Sequence, residues 1–335
     1  MNNPKTLCVA GASGLVGSNI VKAALAKGYR VNGTMRDAND ESKRPYLMTL
    51  PGAAERLTLF SADTAQSESF DAALEDADAV FIACFPPIYK GRDGTPAKDL
   101  DRQRGYDEIV KPVKDGCLNV LEAAARKDIK TVILCSSTSS TNPPEPVAIK
   151  TEENAVSDAE FQMSAGKFTA AEKIVMETAA KDFCDAHGMR LSIIIPTMML
   201  GPVILPQHLE GDSHHLIVGL NKGEQVLHKE TPAGSMSLSH IEDVAALFLA
   251  AYEKPDASGR YFAVYDSWPW RDLYAEFAKH APASAIPKPL EGEPEEPTRF
   301  DFTRRDSLGV TMRNIPTTIA QMFDWLKTEP FRGRH

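Results

Sequence analysis

Three glycines, Gly11, Gly14 and Gly17, stand inside the run TLCVAGASGLVG that covers residues 6–17. Glycines at this spacing, after an apolar run and before a helical one, can hold the pyrophosphate of a dinucleotide. Gly11 permits the tight turn, Gly14 lets backbone approach phosphate, and Gly17 lets helix and strand pack closely. A helix expected over residues 15–27 aims its first N–H groups and its dipole at the anion. Ser13, Gly14, Leu15 and Val16 are therefore the expected contacts at this loop. A second strand over 29–35 completes a βαβ unit; without it, three glycines mark only a turn. Past that strand, where NAD-binding chains place an acid for the ribose 2′-hydroxyl, this chain has Arg36, with Lys43 close behind. A guanidinium can fork two hydrogen bonds to a 2′-phosphate, which favours NADP(H). Asp37 next door keeps NAD open, and both cations also suit a plain solvated surface.

The elements that must position this loop follow an alternating pattern. Strand-like runs interleave with helical ones, which predicts an α/β fold of Rossmann type with a doubly wound parallel sheet. After the first two strands come 57–61, 79–83, 131–136 and 191–195. Helical stretches are expected near 67–74, 105–126 and 159–187, the last ending at Gly188 as a C-cap. Beyond Pro196 the pattern loosens as far as Thr231; then 240–253 reads as helix, with His240 at its N-terminus, and 260–264 as strand. Five prolines between Pro282 and Pro297 mark a solvated loop, and a helix near 316–327 closes the chain. The expected division is a nucleotide-binding domain over 1–195, to which 235–265 returns. A smaller C-terminal substrate lobe takes 196–234 and 266–335.

With 335 residues and 43% hydrophobic content, the chain can bury a full core. A net charge of −9 and a pI near 5.5 oppose nucleic-acid binding, which needs a basic footprint. Asn2-Asn3-Pro4-Lys5 leads straight into strand and glycine turn, unlike a signal peptide. The longest uncharged apolar stretch, 191–206, is broken by Pro196, Gly201 and Pro202 and is too short for a membrane span. Cys8, Cys84, Cys117, Cys135 and Cys184 are odd in number and scattered, which reads as buried thiols in a reducing, cytoplasmic compartment. No Cys or His spacing matches a zinc site, so no metal is expected, and His214-His215 reads as solvated loop. The expected partners are a small-molecule substrate and a second copy of the chain in a homodimer.

With these elements placed, the chain resembles the extended short-chain dehydrogenase/reductases, in particular the dihydroflavonol-reductase and cinnamoyl-CoA-reductase-like group. The resemblance runs nearly full length. It rests on GASGLVG (11–17), GTMRD (33–37) with Lys43, SADT (61–64), DAVFIACFPP (78–87) and KPVKDGCLNVLEAA (111–124). It continues in VILCSST (132–138), IIIPTMMLGP (193–202), LSHIEDVA (238–245) and DSLG (306–309). The resemblance implies that Arg36 and Lys43 meet the adenosine phosphate and that Asp63 and Thr64 meet the adenine. It puts Ala83, Cys84 and Phe85 on the ribose side, Pro196 and Thr197 beside the nicotinamide, and a substrate-recognising amide at Asn142. Phe85, Tyr89 and Met198 are further candidate substrate contacts. For Met198, in an apolar run with Met199 and Leu200, plain core packing is an equal explanation.

The same resemblance implies a serine, a tyrosine and a lysine, with the tyrosine four residues before the lysine so that both share a helix face. There the cation lowers the tyrosine pKa and the phenol passes a proton to the substrate oxygen as hydride moves. Ser137 matches the serine, and Lys167 matches the lysine, which also holds the nicotinamide ribose. Met163 stands at the tyrosine position. A thioether has no proton to give, and no tyrosine lies between Tyr106 and Tyr252. Val156-Ser157-Asp158 likewise replaces the tryptophan-serine-aspartate approach. Three readings stay open. The favoured one is an NADP(H)-dependent oxidoreductase acting on a small, aromatic or polyketide-like carbonyl or enone, with the proton from water, Ser137, Lys167, Tyr89 or Tyr106. A non-redox isomerase, cyclase or lyase that retains the nucleotide comes second, and a silent nucleotide sensor third. Ser137 as a turn cap, Lys167 as a surface cation and Met163 as a gap-filling core residue are the structural alternatives.

Overall fold

The computed structural model describes residues 5–332. Its strands are β1 Thr6–Ala10, β2 Arg30–Met35, β3 Leu57–Ser61, β4 Ala79–Ile82, β5 Thr131–Cys135, β6 Arg190–Pro196, β7 Met198–Leu200, β8 Ser235–His240, β9 Gly259–Ala263 and β10 Asp266–Pro269. Seven form one sheet in the order β3-β2-β1-β4-β5-β6-β9, and every pairing in it is parallel. A parallel sheet is covered on both faces, so its strands read as apolar runs without alternation; β4 (AVFI) is buried throughout. The strand order reverses between β1 and β4. The loops that follow these two strands therefore part and leave a crevice at the carboxyl edge of the sheet.

Period-two alternation still sorts the side chains into two cores. Leu7 and Val9 point with Ile20, Val244 and Phe248 to one face, covered by the helices Leu15–Ala26 and Ile241–Glu253. Cys8 and Ala10 point with Val120, Leu121 and Met176 to the other, covered by Lys111–Arg126 and Phe168–Ala186. Strands β10, β8 and β7 make a second, three-stranded sheet. Around it Leu216, Leu238, Leu273, Phe277 and Phe323 build a separate core with the helices Asp212–Lys222, Trp270–Phe277 and Ile315–Lys327. Among the described residues no helix is long and apolar enough to cross a membrane. Residues 2–4, expected to begin the chain without a signal peptide, lie outside the described residues.

Two expectations are corrected. The helix expected over 159–187 is two helices, Ala159–Ser164 and Phe168–Ala186. Gly166 lies between them at φ +70; its N–H bonds Met163 O at 3.1 Å and the Lys167 N–H bonds Gln162 O at 2.9 Å. That pair of bonds, with glycine left-handed, is a Schellman C-cap. Met163 and Lys167 therefore do not share a helix face. His214 is not in a solvated loop: it is buried in the helix Asp212–Lys222, with Nε2 3.2 Å from Gly201 O.

Candidate active site

The glycine loop has the shape its residue types predict. Gly11 adopts φ +90, and a Cβ there would lie 2.7 Å from Cys84 Cα and 2.8 Å from Ala83 O. A Cβ on Gly17 would stand 2.0 Å from Gly11 O. Only hydrogen fits at either place. Gly14 begins the helix Leu15–Ala26 with no side-chain cap and no acid in its first turn. Among the described residues no side chain caps the helix N-terminus, so the cradle fits a dinucleotide pyrophosphate. Ser13 closes the loop through its carbonyl, which accepts a hydrogen bond from His208 Nε2 at 3.0 Å.

Arg36 follows β2, exposed and with no ion pair among the described residues. It is open to a 2′-phosphate. Lys43 is not equally open, because Asp40 pairs with it at 2.5 Å, and this pairing holds the half-buried Asp40 carboxyl down at about 2. Asp63 uses Oδ1 to accept the Ala65 N–H at 2.9 Å. Thr64 O accepts from Asn119 Nδ2 at 2.8 Å. Thr64, Gly116 and Asn119 line a cleft of about 520 Å³. Ala83, Cys84 and Phe85 leave β4 on the opposite side of the crevice, and Phe85 packs over Gly116.

The remaining candidates gather beyond the ends of β4, β5 and β6. Ser137 follows β5; its Oγ accepts the Ser139 N–H at 3.3 Å and so caps the turn while keeping its own proton to donate. Asn142 ends that turn, with Oδ1 taken by Lys150 Nζ at 2.9 Å. Burial presses the Lys150 pKa down. Met163, half-buried, lines a cavity of about 360 Å³ together with Tyr106, Arg102 and Gln103. Lys167 is exposed at the start of its helix. Pro196 ends β6, Thr197 donates to Ser237 O at 3.1 Å, and Met198 begins β7 against the C-terminal core. Tyr89 is 56% exposed on the loop after β4.

The model of the NAD dependent epimerase/dehydratase family matches residues 7–264. The chain belongs to that family. A putative anthocyanidin reductase of Ginkgo biloba is 33% identical over 87% of this chain and 85% of its own length. Tetraketide alpha-pyrone reductase 1 of Arabidopsis thaliana is 31% identical over 95% and 93%. Among solved structures, vestitone reductase from alfalfa superposes with a TM-score of 0.78 at 24% identity, covering 97% of this chain and 99% of that one.

In this epimerase/dehydratase-family chain, three sets of polar residues support the site and were not singled out from sequence. His208 is one. Arg260 is the centre of another: it pairs with buried Glu177 at 2.9 Å and donates to Ser140 O and Oγ at 3.0 Å and to Ala155 O at 2.9 Å. Ser136 donates to the other oxygen of Glu177, so this network holds the segment on either side of Ser137. The third is the buried pair Glu172 and Lys173, which reaches the loop after β4. Glu172 carried a readable signal: it falls four residues after Phe168 and four before Met176, inside an apolar stripe. His208 carried none.

Proposed function

We propose that this protein is an NADP(H)-dependent oxidoreductase that reduces the carbonyl or conjugated double bond of a small aromatic or polyketide-like molecule. The observation that carries the reading is the glycine cradle at the sheet's switch point, with Arg36 exposed at the end of β2 and without an ion pair among the described residues. The relatives' names, an anthocyanidin reductase and a tetraketide pyrone reductase, support the redox chemistry and the substrate class. NADP(H), held by the glycine loop and Arg36, would supply the hydride when bound. Ser137 Oγ–H donates to the substrate oxygen and stabilises the negative charge that develops there, the main service an oxyanion donor gives. Tyr106 takes the part of proton donor that Met163 cannot fill, because it lines the same cavity as Met163. A product formed as an enolate needs little more acid than this. Asn142, held by Lys150, recognises a polar end of the substrate. The lobe of 196–234 and 266–335, with Met198, forms its apolar side, and Phe85 and Tyr89 close the side of the β4 loop.

A panel of aromatic ketones and enones with NADPH, followed at the nicotinamide absorbance, tests this reading. NADPH consumption that depends on substrate is expected with at least one compound. Tyr106→Phe should lower kcat by ~10²–10⁴-fold, the usual worth of a general acid, with NADPH binding unchanged. An undiminished kcat contradicts the role of Tyr106. Conversion of a substrate with no net change in the nucleotide contradicts the redox reading and supports isomerase, cyclase or lyase chemistry.

A further inference from the structure

The segment Phe85-Pro86-Pro87-Ile88 hangs over the crevice with little backbone bonding of its own. Pro86 and Pro87 have no N–H to give, and among the described residues no backbone pairing involves 84–88. The helix Phe168–Ala186 supplies what the loop lacks. Thr169 Oγ1 donates to Ile88 O at 2.5 Å, Glu172 Oε2 accepts the Ile88 N–H at 3.4 Å, and Lys173 Nζ donates to Phe85 O at 2.6 Å. Glu172 and Lys173 also pair with each other at 3.3 Å, with side chains 0% and 2% exposed. Two charges this deeply buried cost more to desolvate than a mere structural anchor warrants. An apolar pair would pack the helix as well, but could not bond the two polar groups of a proline-bearing loop.

We propose that Glu172 and Lys173 are positioning residues, a buried charge pair that sets the height of the Phe85–Ile88 loop and so the width of the nucleotide crevice. The loop continues directly from the residues that touch the glycine turn, since Ala83 and Cys84 leave Gly11 no room for a Cβ. A loop that rises from the helix therefore loosens the cradle. Burial pushes the thiols of Cys84, Cys117 and Cys135 up, and the nearby Lys173 ammonium works against that rise. Burial raises the Glu172 pKa to about 7, with Lys173 opposing it. Protonation near that pH weakens the bond to the Ile88 N–H, so the clamp loosens as pH falls.

The inference rests on the NADP(H) reading only for its consequence, and the test separates the two. Hydrogen exchange of a peptide spanning the loop, corrected for intrinsic rates, measures the clamp without nucleotide; with Pro86 and Pro87 silent, Ile88 is the main protected amide. Glu172→Gln, which keeps the shape but removes the charge, should give the Ile88 amide the faster exchange of the low-pH clamp at every pH and so erase the pH step. Glu172→Ala should raise exchange at least tenfold. Glu172→Gln combined with Lys173→Met removes both charges, avoids a lone buried ion, and should free the Phe85 carbonyl. If NADPH binds the unmodified chain, the double variant should bind it about tenfold more weakly. Loop exchange in Glu172→Ala and in the double variant equal to that of the unmodified chain overturns the clamp. Absence of NADPH binding to the unmodified chain overturns the nucleotide reading and leaves the exchange result standing.

Discussion

Gly17→Ala is the sharpest small perturbation the structure offers. The added methyl would lie 2.0 Å from Gly11 O and 2.8 Å from Gly11 C, whereas ordinary contact begins at 3.4 Å. Relief needs a movement of 3.4 − 2.0 = 1.4 Å, and no flexible side chain can provide it. The Gly11 carbonyl that must move also accepts the Gly14 N–H at 2.9 Å, and the Gly11 and Ala12 N–H groups are fastened to Thr34 O at 3.1 and 2.8 Å. The whole turn shifts or the helix slides. Overpacking of this kind costs ~1–3 kcal/mol, offset by up to ~1 kcal/mol from alanine's helix propensity. The loss in nucleotide affinity should be larger than the loss in stability, because misplacement by about 1 Å can cost ~10²-fold at a positioned site. Gly28→Ala is the control. Gly28 has φ +85 but nothing within 4 Å of its Cβ, so it should lose ~1 kcal/mol of stability and no affinity. Intrinsic fluorescence titration with NADPH, beside urea unfolding of each variant, measures both. A Gly17→Ala protein that binds NADPH within twofold of the unmodified chain refutes the cradle.

His208→Leu should weaken NADPH binding by ~2–10-fold, the worth of one neutral hydrogen bond, because it removes the shorter of the two bonds to the Ser13 carbonyl and leaves that from Gln207 Nε2 at 3.4 Å; calorimetric titration reads this directly. Stability should fall as pH drops from about 6.5 towards 4. Burial pushes His214 and, with help from Arg313, His240 down to about 4, so over that window the unfolded chain binds more protons than the folded one. By linkage the two histidines give a slope of up to ~2.7 kcal/mol per pH unit, and Glu172, raised to about 7 by burial, offsets about half of it, so the net slope is ~1.4 kcal/mol per pH unit. Denaturant midpoints at pH 7.5 and 5.5 check it, and equal midpoints contradict it.

The sheet was legible from sequence because its central strands β1, β4, β5 and β6 are short apolar runs bounded by turn residues, as strands buried on both faces must be. The first helix was legible from its glycine loop. The break at Gly166 was not recognised, although a lone glycine in a helical pattern is the residue a C-cap uses. Ala, Glu and Lys on both sides carried the helical pattern across it. Strand β8 alternates Met236 and Leu238 with Ser235, Ser237 and Ser239, a signal obscured by the helix that starts at once after His240. Of the candidate site, the glycines and Arg36 followed from chemistry local in sequence. The supports did not: Ser13 with His208, Ser136 with Glu177 and Arg260, and Phe85 with Lys173 join residues about 40 to 195 positions apart. Such pairings depend on how the helices dock, which periodicity does not encode.

Paired titrations of the unmodified protein and Arg36→Ala with NADPH and with NADH test the central claim most directly. A guanidinium on the 2′-phosphate should make NADPH bind more tightly by ~1–3 kcal/mol. Arg36→Ala should erase most of that preference and leave NADH affinity nearly unchanged. Equal affinity of the unmodified protein for the two nucleotides would contradict the account.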